Sequence, residues 1–499
     1  MKIVRVCPLG AGFTVAAVFA AVLAPPLARP APAWAQTEPA ALAENTGDAM
    51  LRRLNAVPGG LTSAEVAKRA VGSSRELVAR RANANAAKAK EDQATASFWP
   101  KLNASVRYTR MSPVDPLFLP GGLLPENEAD RAPGRLAPGT ALVVLPSFPF
   151  PVFENNGAAT ASLSIPVSDY LLRLSRAVGG AERSTRAAQK EEEAARRKVA
   201  ADARIAYYDW IRARGQVMVV EDRLRAVDEQ SKDVKKLFDA GFASKADVLR
   251  GDSQRTSIGL MVTRGRNGAA LAEEALRVAM HDEAASKSYE VGEDLLAPLP
   301  PVAGVDNPEA LRQEARDKRP ELAVLAETEK ALRDLEALAE IGRYPRLDLT
   351  GSVLYANPNQ RIFPPRQKWD MTWDASVVLS WSPTDIPGAN ATAREQTARA
   401  NELAAKRAQL LDGIRLELKQ TSSAIGETDA AIASTKEALR AAEEGYRVRR
   451  ELFRAGKATL VEVIDAEAEL TRARLEVVNA LVEARIARVR FEHAVGRDG

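Results

Sequence analysis

Two stretches of the chain carry nearly the same phrase, "KLFDAGFASKADVLRGDSQR" at Lys236–Arg255 and "ELFRAGKATLVEVIDAEAEL" at Glu451–Leu470. Both contain Leu-Phe-x-Ala-Gly-x-Ala followed by a serine or threonine. We expect Gly241 and Gly456 to end a helix in the left-handed conformation, which a glycine adopts without a Cβ clash. Each stretch therefore predicts the end of one helix and the start of another.

The residues after each glycine predict how the second helix begins. Ser244 and Thr459 carry side-chain oxygens that suit a helix N-cap. Asp247 and Glu462 stand three residues further on, where an acid completes a capping box. The sequence thus predicts two antiparallel helical hairpins with tight turns.

The duplication extends beyond these turns. "WPKL" at residues 99–102 matches "YPRL" at 344–347, and "ELVA" at 76–79 matches "ELAV" at 321–324. We expect a first repeat over residues 61–300 and a second over 301–499. Each repeat reads helix, proline, strand, loop, strand, long helix, glycine stop, helix.

Four segments alternate apolar and polar residues, as strands with one apolar face do. Such strands occur both in soluble sandwiches and in membrane barrels. Their length of about ten residues is enough to cross a bilayer when tilted. The N-terminal signal segment described below predicts that the chain is exported, so we favour the barrel. The predicted strands lie at about residues 101–110, 158–167, 346–356 and 372–382.

The helices before the two glycines are unusually long. Residues 181–240 and 391–455 contain no proline, and sixty helical residues span about 90 Å. Apolar residues recur at three- and four-residue steps, a spacing that fits a coiled-coil seam and equally an ordinary helical bundle. The clearest such series are Val217, Val220, Leu224, Val227 and Val234, and Leu475, Val478, Val482 and Val489.

Composition excludes several functions. The only cysteine is Cys7, and the only histidines are His281 and His493, so we predict no Cys/His metal site and no cofactor. The formal net charge is +4, and the predicted signal segment supplies Lys2, Arg5 and Arg29 with no acid. The rest of the chain is close to neutral, so we expect no nucleic-acid partner.

Residues 1–35 resemble a secretory signal peptide, and residues 36–60 are expected to be a flexible segment. The signal has a positively charged start, the apolar core "GAGFTVAAVFAAVLA" at Gly10–Ala24, and the small-x-small site Ala33–Ala35. A retained membrane anchor is the alternative. No later stretch reads as a membrane helix, because the longest uncharged one, residues 136–153, contains four prolines. Four strands cannot close a membrane barrel, which needs about eight or more, but several copies of the chain can.

The layout resembles the TolC family of outer membrane efflux proteins over residues 61–496. The resemblance rests on the doubled turns, on "FWPKLNASVRYTR" and "YPRLDLTGSVLYA" at the helix-to-strand junctions, and on "LSIPV" and "LSWSP" near the ends of the second strands. It implies a mostly α-helical fold with a membrane β-barrel portion. In that fold three copies form an α/β-barrel channel, and each repeat contributes two strands and long coiled-coil helices.

The resemblance also implies a function. The homotrimer would place twelve strands among the lipids of the outer membrane of a Gram-negative bacterium and extend its helices into the periplasm. It would passively conduct substrates received from an inner-membrane pump and a periplasmic adaptor, in efflux or type I secretion, and it would not be an enzyme. The Pro-rich loop over residues 111–158 would face outside the cell.

Two acids match the family's periplasmic aperture. Glu462 and Asp465 correspond to acids that ring the narrow end of the channel, so a trimer would present six carboxylates that attract cations. Glu462 equally fits a capping role alone, and a solvated surface acid is the alternative for Asp465. The first-repeat acid of the family's gate latch matches Asp247, but its usual partners match Phe453 and Ala458, which lack the polar groups, so Lys457 is the substitute that we consider.

The turns over residues 237–244 and 452–459 match the family's adaptor-docking tips. Simple helix termination explains the same residues equally well. The residues singled out are Ala240, Gly241, Ser244, Ala455, Gly456 and Thr459. A periplasmic coiled-coil adaptor or scaffold is the main alternative function, although no short-stranded lipoyl-like segment is found between the hairpin arms.

Overall fold

The computed structural model describes residues 56–115, 118–126, 139–149, 152–282 and 288–497, all within the unit Thr46–Gly499. The predicted signal over residues 1–35, and residues 36–55 of the segment expected to be flexible, lie outside the described residues. The remaining residues of that segment, 56–60, are described. Among them, the Val57 N–H donates to the Val291 carbonyl oxygen at 2.8 Å.

Long helices dominate the described residues, and the two longest precede the two glycine turns. Pro387 lies in the first turn of the longest helix, where its missing N–H has no helical partner to lose. The α-helices are α1 (Ser63–Ser73), α2 (Arg75–Ala96), α3 (Val167–Leu172), α4 (Leu174–Asp239), α5 (Lys245–Met280), α6 (Pro308–Lys318), α7 (Pro320–Ile341), α8 (Ile386–Arg454) and α9 (Leu460–Val495).

The strands lie where each repeat turns from its first helices to its long hairpin. Those of the main sheet begin or end within three residues of the predicted positions. The second strand of the first repeat ends at Ile165 because Pro166, which follows it, lacks an N–H for the ladder. The strands are β1 (Lys101–Arg110), β2 (Phe118–Leu119), β3 (Gly122–Pro125), β4 (Leu142–Leu145), β5 (Phe148–Pro149), β6 (Asn155–Ile165), β7 (Arg346–Asn357) and β8 (Asp370–Ser380).

The predicted fold class is confirmed: the chain is mostly α-helical, and its two repeats each contribute two strands to one sheet. The order in this sheet is β1-β6-β7-β8, and every pair is antiparallel. The loop between β1 and β6 adds an unpredicted ribbon, in which β2 pairs with β5 and β3 with β4.

The register aligns the apolar faces of all four strands. Ala104 lies opposite Ala161, Ala161 opposite Val353, and Val353 opposite Trp373. Residues directly opposite one another in antiparallel strands share a face. The alternation read from each strand separately therefore produces one continuous apolar surface.

This apolar surface is exposed in the protomer. Val106 on β1 is 86% exposed and Trp373 on β8 is 74% exposed. Within the described residues, β1 and β8 each pair with a single strand, so the sheet has two open edges. An exposed apolar face with open edges requires something outside the protomer to cover it.

The main helical core lies where α4 meets α1, α9 and the segment after α5. Tyr207 and Trp210 of α4 are fully buried there. The Tyr208 hydroxyl donates to Glu293 Oε2 at 3.0 Å, and the Ser63 N–H donates to Glu293 Oε1 at 2.6 Å. Burial, followed by the charge of Glu293, raises the pKa of Tyr208 to about 12.

A second, smaller core joins α6, α8 and α9 around the fully buried Phe491. At its edge Arg497 forms a two-pronged ion pair with Glu314, with Nε 2.9 Å from Oε1 and Nη2 2.8 Å from Oε2. The same glutamate accepts from Lys318 at 2.9 Å. This pairing holds the segment after α9 against α6.

Candidate functional site

The turn between α4 and α5 closes by paired backbone hydrogen bonds. The Gly241 N–H donates to the Phe238 carbonyl at 2.9 Å, and the Phe242 N–H donates to the Leu237 carbonyl at 2.8 Å. These two bonds define a Schellman motif. Gly241 has φ +82°, so the predicted left-handed glycine is confirmed.

The turn between α8 and α9 repeats this geometry. The Gly456 N–H donates to the Phe453 carbonyl at 2.9 Å, and the Lys457 N–H donates to the Leu452 carbonyl at 2.8 Å. Gly456 has φ +70°. Both turns present exposed backbone and small side chains, with Ala240 and Ala455 as the helix C-caps.

Both predicted capping boxes are confirmed. The Asp247 N–H donates to Ser244 Oγ at 3.2 Å, and the Ser244 N–H donates to Asp247 Oδ2 at 3.1 Å. In the second repeat the Glu462 N–H donates to Thr459 Oγ1 and the Thr459 N–H donates to Glu462 Oε1, each at 3.4 Å. Glu462 therefore caps α9, which is one of the two roles that the sequence analysis gave it.

The two predicted aperture acids lie on one exposed face of α9. Glu462 and Asp465 are three residues apart, and Glu469 follows four residues later on the same exposed stripe. We call these three residues the acidic row. The row begins at the turn and runs along α9 away from it, so a charged surface extends beyond the two residues that the sequence singled out.

The two candidate latch residues are not brought together in the protomer. Asp247 is bonded to Ser244 within its own cap and lies 4.0 Å from Arg250 one turn later. The hydrogen bonds from Ser244 lower the pKa of Asp247 below its usual value. In the part of the chain that the structure describes, no ion pair joins Asp247 to Lys457.

Other residues join the two hairpins near their turns. Arg450 of α8 lies 3.4 Å from Glu229 of α4, and Arg454 lies 3.6 Å from Asp233. All four side chains are exposed. An exposed ion pair typically contributes less than about 1 kcal/mol to stability. These two contacts therefore add little to the stability of the packing between the hairpins.

Among the described ion pairs between the hairpins, one has a buried acid, and the sequence analysis did not predict it. Glu467 of α9 is 3% exposed and lies 3.1 Å from Arg223 Nε of α4. Gln254 of α5 also donates to it, at 3.4 Å. Burial raises the pKa of Glu467, and Arg223 opposes that rise.

No group of three or more His, Cys, Asp or Glu side chains among the described residues is arranged to hold a metal ion. None of the helices described has a stretch long and apolar enough to cross a membrane.

A four-stranded sheet with an exposed apolar face, joined to a pair of long helical hairpins, has the fold of a channel-forming outer membrane protein. The sequence model of the outer membrane efflux protein family matches residues 66–280 and 311–497. The chain belongs to this family, as the resemblance predicted. It is a family of transport channels and not of enzymes.

Solved structures share the fold. The outer membrane protein VceC of Vibrio cholerae has a TM-score of 0.68 at 17% identity, over 90% of this chain and 98% of VceC. The CmeC outer membrane channel of Campylobacter jejuni has a TM-score of 0.68 at 14% identity, over 88% of both chains. The open state of the MtrE outer membrane channel of Neisseria gonorrhoeae has a TM-score of 0.68 at 14% identity, over 87% of this chain and 89% of MtrE. No curated protein sequence matches the chain significantly.

Proposed function

We propose that three copies of this chain form a channel in the outer membrane of a Gram-negative bacterium. The channel passively conducts substrates that an inner-membrane pump and a periplasmic adaptor deliver, in efflux or type I secretion. The observation that carries the proposal is the sheet β1-β6-β7-β8, whose apolar face and two edges are uncovered in the protomer. Three such sheets joined edge to edge form a closed barrel of twelve strands.

The strand length fits this assignment. β1 has 10 residues, which span about 34 Å along the strand. With a tilt of about 45°, the strand rises about 24 Å, close to the apolar band of about 25 Å in outer-membrane barrels. Lipid then covers the exposed apolar face, and the neighbouring subunits pair with the open edges of β1 and β8.

We assign the narrow periplasmic end of the channel to the start of α9. In the proposed trimer, Glu462 and Asp465 of each subunit face the axis and contribute six carboxylates. Like charges held close together attract cations and resist tight closure. Capping and lining are compatible for Glu462, because the cap uses one carboxylate oxygen.

We assign adaptor docking to the two turns, which carry exposed small residues. A Cβ added at Gly241 or Gly456 meets no atom within 4 Å, so the space around both glycines is open. Small residues with open surroundings let a partner backbone approach closely. The docking residues are Ala240, Gly241, Ser244, Ala455, Gly456 and Thr459.

A latch between Asp247 and Lys457 then requires contact between neighbouring subunits, since the two residues are not paired in the protomer. Lys457→Ala removes this contact and is expected to raise the closed-state conductance of the trimer in planar bilayers. An unchanged conductance discards Lys457 as a latch residue.

Fractionation and conductance test the whole proposal. The protein is expected in the detergent-extracted outer membrane, as a trimer that dissociates on heating, with Gln36 as the first residue of the mature chain. The purified trimer is expected to conduct ions in planar bilayers. Release with the soluble periplasm, as a monomer without detergent, would instead support the adaptor or scaffold.

A further inference from the structure

Glu467 occupies an unusual position for an acid. It lies on the inward face of α9, two residues after Asp465 of the exposed acidic row. Its carboxylate is reached by Arg223 from α4 and by Gln254 from α5, so one side chain of the second repeat bonds to both helices of the first-repeat hairpin. We call Arg223, Gln254 and Glu467 the clasp.

The clasp differs in kind from the ion pairs nearer the turns. Glu467 is buried and Arg223 is largely buried, whereas the pairs Arg450–Glu229 and Arg454–Asp233 are exposed. Removing one partner of a buried pair leaves the other charge in a dry site without compensation, which is far costlier than losing a surface pair. Among these three ion pairs, the clasp is therefore the one whose loss is expected to cost the most stability.

The internal repeat provides a comparison within the same chain. Asp252 of α5 holds the position equivalent to Glu467, and its side chain is 48% exposed. It lies 3.4 Å from Lys235 and accepts from Ser231 at 3.3 Å, both on α4 of its own hairpin. The contacts of Asp252 thus lie within its own hairpin, whereas those of Glu467 reach the other hairpin.

We propose that the clasp locks the rotation of α9 against the first-repeat hairpin and so sets the width of the periplasmic aperture. Glu467 and the acidic row lie on opposite faces of one helix. Holding Glu467 against Arg223 therefore fixes where Glu462 and Asp465 point. When the clasp is broken, the start of α9 loses its polar contact with the first-repeat hairpin, and the second-repeat turn separates from the first. The part of this inference that concerns the aperture rests on the proposed function.

A distance measurement tests the clasp directly. The substitutions Lys236→Cys and Glu451→Cys, at equivalent exposed positions in the last turns of α4 and α8, supply the thiols that carry nitroxide labels. The only natural cysteine, Cys7, lies in the predicted signal and does not compete for label. Labelled subunits are diluted into unlabelled ones, so that pulsed electron resonance reports the separation of the two hairpins within one protomer.

Glu467→Gln is nearly isosteric, so it removes the charge while preserving the packing. We expect the label-to-label distance to lengthen and its distribution to broaden in this variant. Asp252→Asn, at the equivalent position of the first repeat, is expected to leave the distribution unchanged. The closed-state current of Glu467→Gln in bilayers is expected to rise about tenfold, corresponding to ~1.4 kcal/mol.

Exchanging the charges of Arg223 and Glu467 distinguishes the loss of the ion pair from a disturbance of the packing. Glu467→Arg alone is expected to broaden the distances, and Arg223→Glu combined with Glu467→Arg is expected to narrow them again. Unchanged distances in Glu467→Gln would overturn the proposal, as would a swap that fails to restore a broadened distribution. The distances are readable whether or not the trimer conducts, so absence of any wild-type current would refute the channel and leave the clasp test intact.

Discussion

The Tyr207 hydroxyl donates a hydrogen bond of 2.6 Å to the carbonyl oxygen of Leu61. The same carbonyl accepts from the Gly292 N–H at 2.7 Å. One oxygen therefore joins the segment just before α1, the middle of α4, and the segment after α5. The three segments are far apart in sequence, so this site ties the long helix to both ends of the first repeat.

Tyr207→Phe is expected to lower the stability of the folded protein by about 1 kcal/mol, the usual net contribution of a buried hydrogen bond between uncharged groups. The loss is not larger because the Leu61 carbonyl keeps its bond from Gly292. Thermal unfolding followed by far-ultraviolet circular dichroism in detergent measures the change. Tyr344→Phe is the matched control, because its side chain is exposed; equal effects of the two substitutions would contradict the role given to Tyr207.

The turn glycines predict a second difference in stability. Gly241→Ala and Gly456→Ala place a Cβ on backbone with positive φ and are each expected to cost about 1 kcal/mol. No neighbouring atom contributes, because a Cβ at either position meets nothing within 4 Å. Gly259→Ala, in equally open space inside α5, is expected to stabilise by up to about 1 kcal/mol, since alanine is the better helix former. The same unfolding measurement checks all three, and a stabilising Gly241→Ala would contradict the conformational argument.

Local features were predictable from the sequence because each is decided by adjacent residues. The left-handed glycine, the N-cap and the capping box of each turn follow from a few residues in order, and all three are present at Gly241, Ser244 and Asp247. The strands were predictable for the same reason. Alternation of side chains is a property of the segment itself, and β1 lies at the predicted residues.

The clasp was not predicted because it depends on which helix faces which. Leu460, Val463 and Leu470 are buried on α9, and Glu467 interrupts this apolar series. An acid on an apolar seam was a readable signal for a buried ion pair. The partner was not readable, since Arg223 lies in the other repeat and arginines are frequent along α4. The expected latch between Asp247 and Lys457 was drawn from resemblance and stays a prediction for the assembled trimer.

Acid is expected to weaken the contact between α6 and the segment after α9. Hydrogen bonding by Arg497, reinforced by Lys318, lowers the pKa of Glu314 from 4.5 to about 2. A group with a lowered folded-state pKa contributes stability above its unfolded pKa and loses it as the pH falls towards the folded value. The contribution of Glu314 is therefore full above about pH 4.5 and is lost between pH 4.5 and pH 2.

Glu314→Gln is expected to be less stable than the wild type at neutral pH, with the difference shrinking as the pH falls through that window. Unfolding temperatures measured across the pH range give this comparison. Glu309→Gln, at an exposed acid near the start of the same helix, is expected to change little at any pH. A difference between Glu314→Gln and the wild type that stays constant down to pH 2 would contradict the assignment.

The acidic row predicts the ion selectivity of the proposed channel. Glu462→Gln combined with Asp465→Asn removes six charges from the trimer and is expected to move the reversal potential in a salt gradient towards zero, because fewer carboxylates attract cations. Glutamine is accepted at the third position of a capping box, so the α9 cap is preserved and the experiment isolates the charge. Glu309→Gln combined with Asp317→Asn removes as many acids from α6, which lies outside the hairpins, and is expected to leave the potential unchanged. If the potential of the Glu462 and Asp465 variant equals that of the wild type, the start of α9 does not line the narrow end of the pore.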